Sequence, residues 1–233
     1  MKTEFRHEYK YLCSREQTAV LESRLQKLLR PDPHARDGRY QIRSLYFDTP
    51  DNDCFYENEN GTDPRAKYRM RIYNCKASPI TLERKLKCRG MTHKDAGPLT
   101  MEQAEALLAG KIPALTAGMD PMLRRMLTDM RLKAMRPAVI VQYERTPFIY
   151  GAGNVRITLD GQIESSRAFA RFFRREIPLR PVLPEGRAVL EVKWDQFLPS
   201  YIYDSLQLEG MEWTSFSKYY VCRKYNVNGG TKA

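Results

Sequence analysis

The chain has 233 residues, 42% of them hydrophobic and 29% charged, which is enough apolar material for a packed core and excludes a disordered tract. Thirty-nine Lys and Arg against 28 Asp and Glu give a formal net charge of +11, which points to an anionic partner: nucleic acid, a membrane surface or a phosphorylated small molecule. No apolar run is long enough for a transmembrane helix, and five cysteines without a CxxC pair exclude a zinc ribbon and disfavour a disulfide scaffold. The charged start predicts no secretory leader, so a reduced, cytoplasmic protein with a single domain over 1–233 is expected.

The first predicted element is a strand over 4–12, where Phe5, His7, Tyr9 and Tyr11 alternate with Arg6, Glu8 and Lys10. Ser14 and Gln17 form a capping box opening a helix, with Ala19, Leu21, Leu25, Leu28 and Leu29 as its apolar stripe and Pro31 as its stop. A Pro/Asp/Gly linker leads to a strand over 40–48. The stretch from Asp48 to Pro64 holds six acids and no bases, and reads as a solvated loop with a short helical turn. Strands over 66–75 and 79–88 follow, joined through Lys76-Ala77-Ser78 as a hairpin. Thr100 caps a short helix ending at Gly110, and Asp120-Pro121 opens another that runs to Lys133. Strands return over 138–150 and 154–160, linked by Gly151-Ala152-Gly153, and again over 172–180 and 187–194. Helices over 199–208 and from Ser215 to about Tyr225 complete the pattern. Strands without βαβ alternation disfavour a parallel sheet and predict an α+β fold, an antiparallel eight-stranded barrel with helices packed outside.

Familiar catalytic signatures are missing. Gly110-Lys111 is followed by Ile112 and lacks the upstream glycine of a phosphate-binding loop, and Gly151-x-Gly153 has Arg156 where a dinucleotide fold needs its third glycine. His7, His34 and His93 are scattered without metal-ligand spacing. The informative pattern is charge at alternate positions inside strands. Lys67, Arg69, Arg71 and Tyr73 share one face, as do Glu83, Lys85 and Lys87 on the next strand. Glu8 with Lys10, Tyr143 with Arg145, Arg156 with Asp160, and Glu191 with Lys193 repeat the arrangement. Any one such face is explained by solvation of an antiparallel strand. Six together describe a barrel with its charged faces turned inward. Unpaired charge cannot be packed dry, so this lumen would hold water, a polyanion suited to Arg and Lys, and a divalent cation suited to the carboxylates.

These residues resemble the CYTH or triphosphate tunnel metalloenzyme superfamily, and within it the VTC-domain polyphosphate polymerases. The superfamily's opening ExExK is similar to Arg6-His7-Glu8-Tyr9-Lys10, and its SxYFD strand to Ser44-Leu45-Tyr46-Phe47-Asp48. Arg69-Met70-Arg71 resembles its RxR, Glu83-Arg84-Lys85 its ERK, Tyr143-Glu144-Arg145-Thr146 its YxRT, and Val155 to Asp160 its VRxxLD. Leu190-Glu191-Val192-Lys193 resembles LEVK, and Phe216-Ser217-Lys218 the closing FSK. The resemblance implies a tunnel that binds ATP, triphosphate or polyphosphate with Mg²⁺ or Mn²⁺ and passes the ATP γ-phosphoryl group to a growing polyphosphate chain. It makes Lys10, Arg69, Arg71, Lys85, Arg145 and Arg156 the phosphate clamp. Tyr143, Lys87, Lys193, Ser217 and Lys218 become further substrate contacts, with Lys94 a loosely spaced addition. Glu191 and Glu8 become the metal ligands. Two positions depart from the pattern: Arg6 replaces the first acid, which implies one metal rather than two, and Ser215 replaces a basic residue of the closing clamp.

Other functions use the same charges differently. A tripolyphosphatase or nucleoside triphosphatase on the same barrel would send water to the phosphorus, and a polyphosphate or inositol-phosphate sensor would bind without turnover. A nucleic-acid binder would carry its bases on an exposed face with stacking aromatics rather than inside strands. No integral membrane segment is expected, and a membrane partner stays open.

Overall fold

The computed structural model describes residues 5–35 and 37–227; Glu4, first residue of the predicted opening strand, lies outside them. The strands are β1 (His7–Cys13), β2 (Arg30–Pro31), β3 (Tyr40–Asp48), β4 (Arg65–Tyr73), β5 (Ile80–Cys88), β6 (Met91–Leu99), β7 (Arg136–Tyr150), β8 (Val155–Ser166), β9 (Arg180–Pro181), β10 (Ala188–Trp194) and β11 (Glu212–Trp213). The helices are α1 (Arg15–Leu28), α2 (Asp53–Glu59), α3 (Met101–Leu108), α4 (Pro121–Lys133), α5 (Ser200–Ser205) and α6 (Lys218–Val227). All described strands join one antiparallel sheet in the order β11-β1-β10-β8-β7-β3-β4-β5-β6, with β2 beside β7 and β9 beside β8. The ends of that order meet. Arg6 and Thr92 exchange both backbone hydrogen bonds, at 2.9 and 3.1 Å, so the eight long strands curl into a barrel closed at this bridge.

The barrel is polar inside and apolar outside, and the helices cover its outer face. Leu21 and Leu25 of α1, Leu29 just beyond it and Ile202 of α5 pack on Tyr11, Phe148, Ile157, Leu190 and Val192. Leu107 of α3 and Met122, Met126 and Met130 of α4 join the cluster of Leu45, Met70, Ile72 and Leu82. Each such side chain removed from water contributes roughly 1.5–3 kcal/mol. The predicted capping box of α1 is present, with Ser14 Oγ accepting from Gln17 N at 3.2 Å and Gln17 Oε1 from Ser14 N at 2.9 Å. Its apolar stripe is narrower than predicted: Ala19 and Leu28 are exposed, because the helix meets the barrel only along Leu21 and Leu25.

Three expectations are corrected. β6 was not expected, yet it pairs with β5 along its whole length, from Ile80↔Leu99 to Cys88↔Met91. Its Gly97 is required by a neighbour, since a Cβ there would stand 2.3 Å from Oδ1 of Asp120, the residue that caps α4. Residues 172–180, expected as a strand, form no strand before Arg180. The carbonyls of Phe172, Arg174 and Arg175 instead accept from the guanidinium of Arg43 at 2.8, 2.5 and 3.0 Å, while Arg43 Nε donates to Gln142 Oε1 at 2.7 Å. Arg43 is wholly buried, and its hydrogen-bond partners among the described residues are these neutral oxygens. Arg43→Met should therefore destabilise the protein by at least about 3 kcal/mol, because several buried acceptors lose their donor together. Urea unfolding measures it, and a loss below about 1 kcal/mol would show that the segment holds itself.

The acidic 48–63 stretch is more than a solvated connection. Asp48 is buried, and its Oδ1 accepts from the backbone N–H groups of Thr49 and Cys54 at 2.8 and 2.9 Å. Its other oxygen accepts from the Tyr219 hydroxyl, which ties α2 and α6 to the end of β3. Phe55 and Tyr220 stack between the two helices.

Candidate functional site

The inward faces enclose a cavity of about 820 Å³ whose described lining includes thirteen Lys and Arg side chains and three carboxylates. That excess of ten nearly equals the formal +11 of the whole chain. All the clamp residues expected from sequence, Lys10, Arg69, Arg71, Lys85, Arg145 and Arg156, line it. So do Tyr143, Lys87, Lys193, Ser217, Lys218, Glu8, Glu191 and Lys94. The strand register brings them there. Lys10 stands opposite Glu191, Glu8 opposite Lys193, and Arg69 opposite Glu83.

The arginines are braced by carboxylates behind the wall. Arg69 Nε donates to Glu83 Oε2 at 2.6 Å and Nη1 to Tyr46 Oη at 3.1 Å. Arg71 reaches Ser44 Oγ at 3.1 Å and Tyr143 Oη at 3.4 Å. Arg145 grips fully buried Asp160 with two bonds of 2.6 and 2.7 Å. Arg156 donates to Asp32 and to Tyr40 Oη at 2.9 and 2.8 Å. Fixed in this way, the guanidiniums keep one orientation without a ligand, which lowers the ordering cost of binding an anion.

Glu8 and Glu191 lie among the lysines. Glu191 meets Lys218 at 2.6 Å, Lys193 at 2.7 Å, Arg145 at 3.5 Å and Lys10 at 3.9 Å. Glu8 meets Lys85 at 2.6 Å, Lys193 at 3.3 Å and Lys10 at 3.9 Å. Burial pushes both carboxyls up, but these cations outweigh it and hold both well below the usual carboxylate range. Lys218 is committed to Glu191 and Asp160, each at 2.6 Å; burial would lower it, and the two acids raise it. Ser217 Oγ accepts from the backbone N–H of Tyr220 at 3.3 Å, in the first turn of α6.

Among the described residues no three His, Cys, Asp or Glu gather, so the protein alone offers no full coordination shell. Two carboxylates do converge on the same ammonium groups, Lys10 and Lys193, and buried Oε1 of Glu8 makes no hydrogen bond despite the nearby Lys193. That set fits a hard cation whose remaining ligands are phosphate oxygens and water, as Mg²⁺ and Mn²⁺ prefer.

Spacing from Arg69 puts Lys67 on the inward face without assigning it a role, and Asn58 of α2 carries no sequence signal. Both line the cavity. Lys67 Nζ donates to Asn58 Oδ1 at 2.7 Å and to Ser217 Oγ at 3.5 Å, so a cation from β4 reaches the segment where Ser215 supplies none. Burial lowers both Lys67 and Lys85 to about 7. Lys85 lines the cavity with 33% of its side chain open to the lumen.

A lysine lowered in the fold releases its proton before the unfolded chain does, so the unfolded chain holds more protons between about 7 and its ordinary 10.5. The melting temperature of the free protein should rise from pH 6.5 to 9, and the extra stabilisation from added tripolyphosphate should shrink over the same range. Melting curves in matched ionic strength check this, and a falling free-protein curve would contradict it.

A family profile, the VTC domain, matches residues 5–226. The chain belongs to the VTC-domain family. A search of curated proteins found no match for this VTC domain. Among solved structures it is similar to a candidate adenylyl cyclase from Hippeastrum with a dominant triphosphatase activity, at 16% identity and a TM-score of 0.57, covering 95% of each chain. It is also similar to a candidate adenylate cyclase from Bacillus halodurans, at 16% identity and a TM-score of 0.51, covering 89% of this chain and 88% of that one. Such identities speak to the fold, and they agree with the CYTH-like tunnel barrel of the VTC domain. No described helix of this VTC domain is long and apolar enough to cross a membrane.

Proposed function

We propose that this VTC domain is a metal-dependent phosphotransferase that binds ATP and a polyphosphate chain in its basic bore and moves the γ-phosphoryl group onto the chain. The observation that carries the reading is thirteen cations and three carboxylates around one cavity of about 820 Å³. Cations gathered inside a narrow barrel suit a slender polyanion better than a nucleic-acid duplex. A divalent ion held by Glu191 and Glu8 would supply further neutralisation of phosphate charge. The chain's own groups do the positioning. Arg69, Arg71 and Arg145 hold the phosphoryl oxygens, Lys10, Lys193 and Lys85 gather the neighbouring phosphates, and Tyr143 orients Arg71 through its hydroxyl.

An ionised terminal oxygen of the acceptor attacks the γ-phosphorus, the bond from that phosphorus to the β–γ bridging oxygen breaks, and ADP leaves with the electron pair. No general base is needed, because the nucleophile is already an oxyanion. Charge neutralisation and alignment carry the rate.

A triphosphatase is the second reading, favoured by the openness of the bore to water: the side chain of Lys94 on its wall is 55% exposed. Incubation with ATP and Mn²⁺ or Mg²⁺ separates the two. Long acid-labile phosphate chains support transfer, and orthophosphate release alone supports hydrolysis. Tight tripolyphosphate binding without turnover under either metal would make it a sensor and overturn the enzymatic reading.

A further inference from the structure

Lys67 is unlike most cations of the bore. Arg69, Arg71, Lys85, Lys94, Arg145, Arg156, Lys193 and Lys218 each have a carboxylate within 4.0 Å. Among the described residues Lys67 meets only neutral groups at close range: the Asn58 amide, the Ser217 hydroxyl and the ring of Tyr219, 4.7 Å from Nζ. Its cross-strand partner is a second lysine, Lys85, and the next inward pair, Arg65 and Lys87, is again like-charged. Like charges directly opposite one another cost stability in a sheet. Among the described residues only Lys85 of these four meets a carboxylate within 4.0 Å, so two such pairs in succession, both lining the cavity, leave a positive patch that is only partly neutralised.

The position is as informative as the charge. Inward residues of β4 are two apart, so Arg71, Arg69 and Lys67 project into the bore at intervals of roughly 6.8 Å along the strand. Asn58 from α2 and Ser217 at the start of α6 come from separate elements and hold the ammonium where that row continues.

We propose that Lys67 is a phosphate-contacting residue of this bore, which with Lys85 receives the phosphate beyond those held by Arg69 and Arg71 and so makes binding depend on chain length. The inference rests on the phosphate reading above. Burial brings Lys67 to about 7, opposed by Cys54 and reinforced by Arg65, Lys10 and Lys85, so an arriving phosphate also favours its protonated form. Glu57 of α2 lies near enough for Lys67 to lower its carboxyl, against the larger upward push of burial.

Titration calorimetry of the full chain with pyrophosphate and with tripolyphosphate tests the assignment. Pyrophosphate is short enough to rest on the arginines alone. Lys67→Met should weaken tripolyphosphate binding at least about tenfold and pyrophosphate binding less than about threefold. Its free-protein melting temperature should stay level or rise, because an uncompensated buried charge has gone. Lys67→Arg should recover most of the affinity. Equal tripolyphosphate affinity in Lys67→Met and wild type would overturn the inference. So would an equal loss for both anions, or a lowered melting temperature, either of which would mark a structural lysine. Wild type that binds neither anion would overturn the phosphate reading itself, which separates the two failures.

Discussion

Arg71→Ala should lower phosphoryl turnover by about 10²–10³-fold while leaving the fold intact. The expectation rests on what the side chain leaves behind. Arg71 is buried at 5% exposure, yet its nearest acid, Glu83 at 3.7 Å, is already held by Arg69 at 2.6 Å and Lys94 at 3.2 Å. The Ser44 and Tyr143 oxygens that accept from Arg71 belong to hydroxyls, which can turn to water entering the vacated space. Arg69 also repels Arg71, so truncation relieves some strain between like charges. Arg145 gives the contrast. Asp160, fully buried, accepts two bonds from it and would retain, among the described residues, Lys218 as its one cation, so Arg145→Ala should cost stability as well as activity. Turnover with ATP and Mn²⁺ beside thermal melting distinguishes the cases, and an Arg71→Ala enzyme of wild-type activity would remove this residue from the clamp.

What could be read from sequence was the set of inward faces, because strand geometry sends alternate residues to opposite sides and charge at every second position is legible without coordinates. Lys67, Arg69 and Arg71, or Glu191 and Lys193, need only that rule. What could not be read was how backbone groups are satisfied away from the ladder. The run Phe172 to Arg180 has strand-like composition, but its carbonyls are taken by Arg43, a residue more than a hundred positions away. β6 carries Gly97 and Pro98, both poor strand formers, and becomes a strand because β5 supplies a full partner edge. Asp48 looked like one of six solvated acids; its capture by two backbone N–H groups and Tyr219 depends on tertiary placement. The pairing inside the bore was hidden for the same reason. Periodicity shows that Glu191 faces inward, but not that Lys218, 27 residues on, closes over it.

That closure leads to the second large effect. Glu191 now neutralises Lys218, Lys193, Arg145 and Lys10, so its oxygens are engaged until something else takes those cations. Phosphate oxygens can do so, which frees the carboxylate for a divalent ion, and by linkage each ligand must then favour the other. Mn²⁺ alone should leave the melting temperature of the wild-type protein nearly unchanged, tripolyphosphate alone should raise it, and the two together should raise it further. Glu191→Gln should melt on the order of 10 °C lower when free, since four cations lose their counter-charge. Tripolyphosphate should still stabilise this variant, by at least as much as wild type, because the phosphates replace the missing charge. The Mn²⁺ increment and the turnover should both disappear. Were Mn²⁺ to stabilise Glu191→Gln in the presence of tripolyphosphate as much as it does wild type, Glu191 would be a counter-ion to the lysines only, and the metal would have to be held by Glu8 and the substrate.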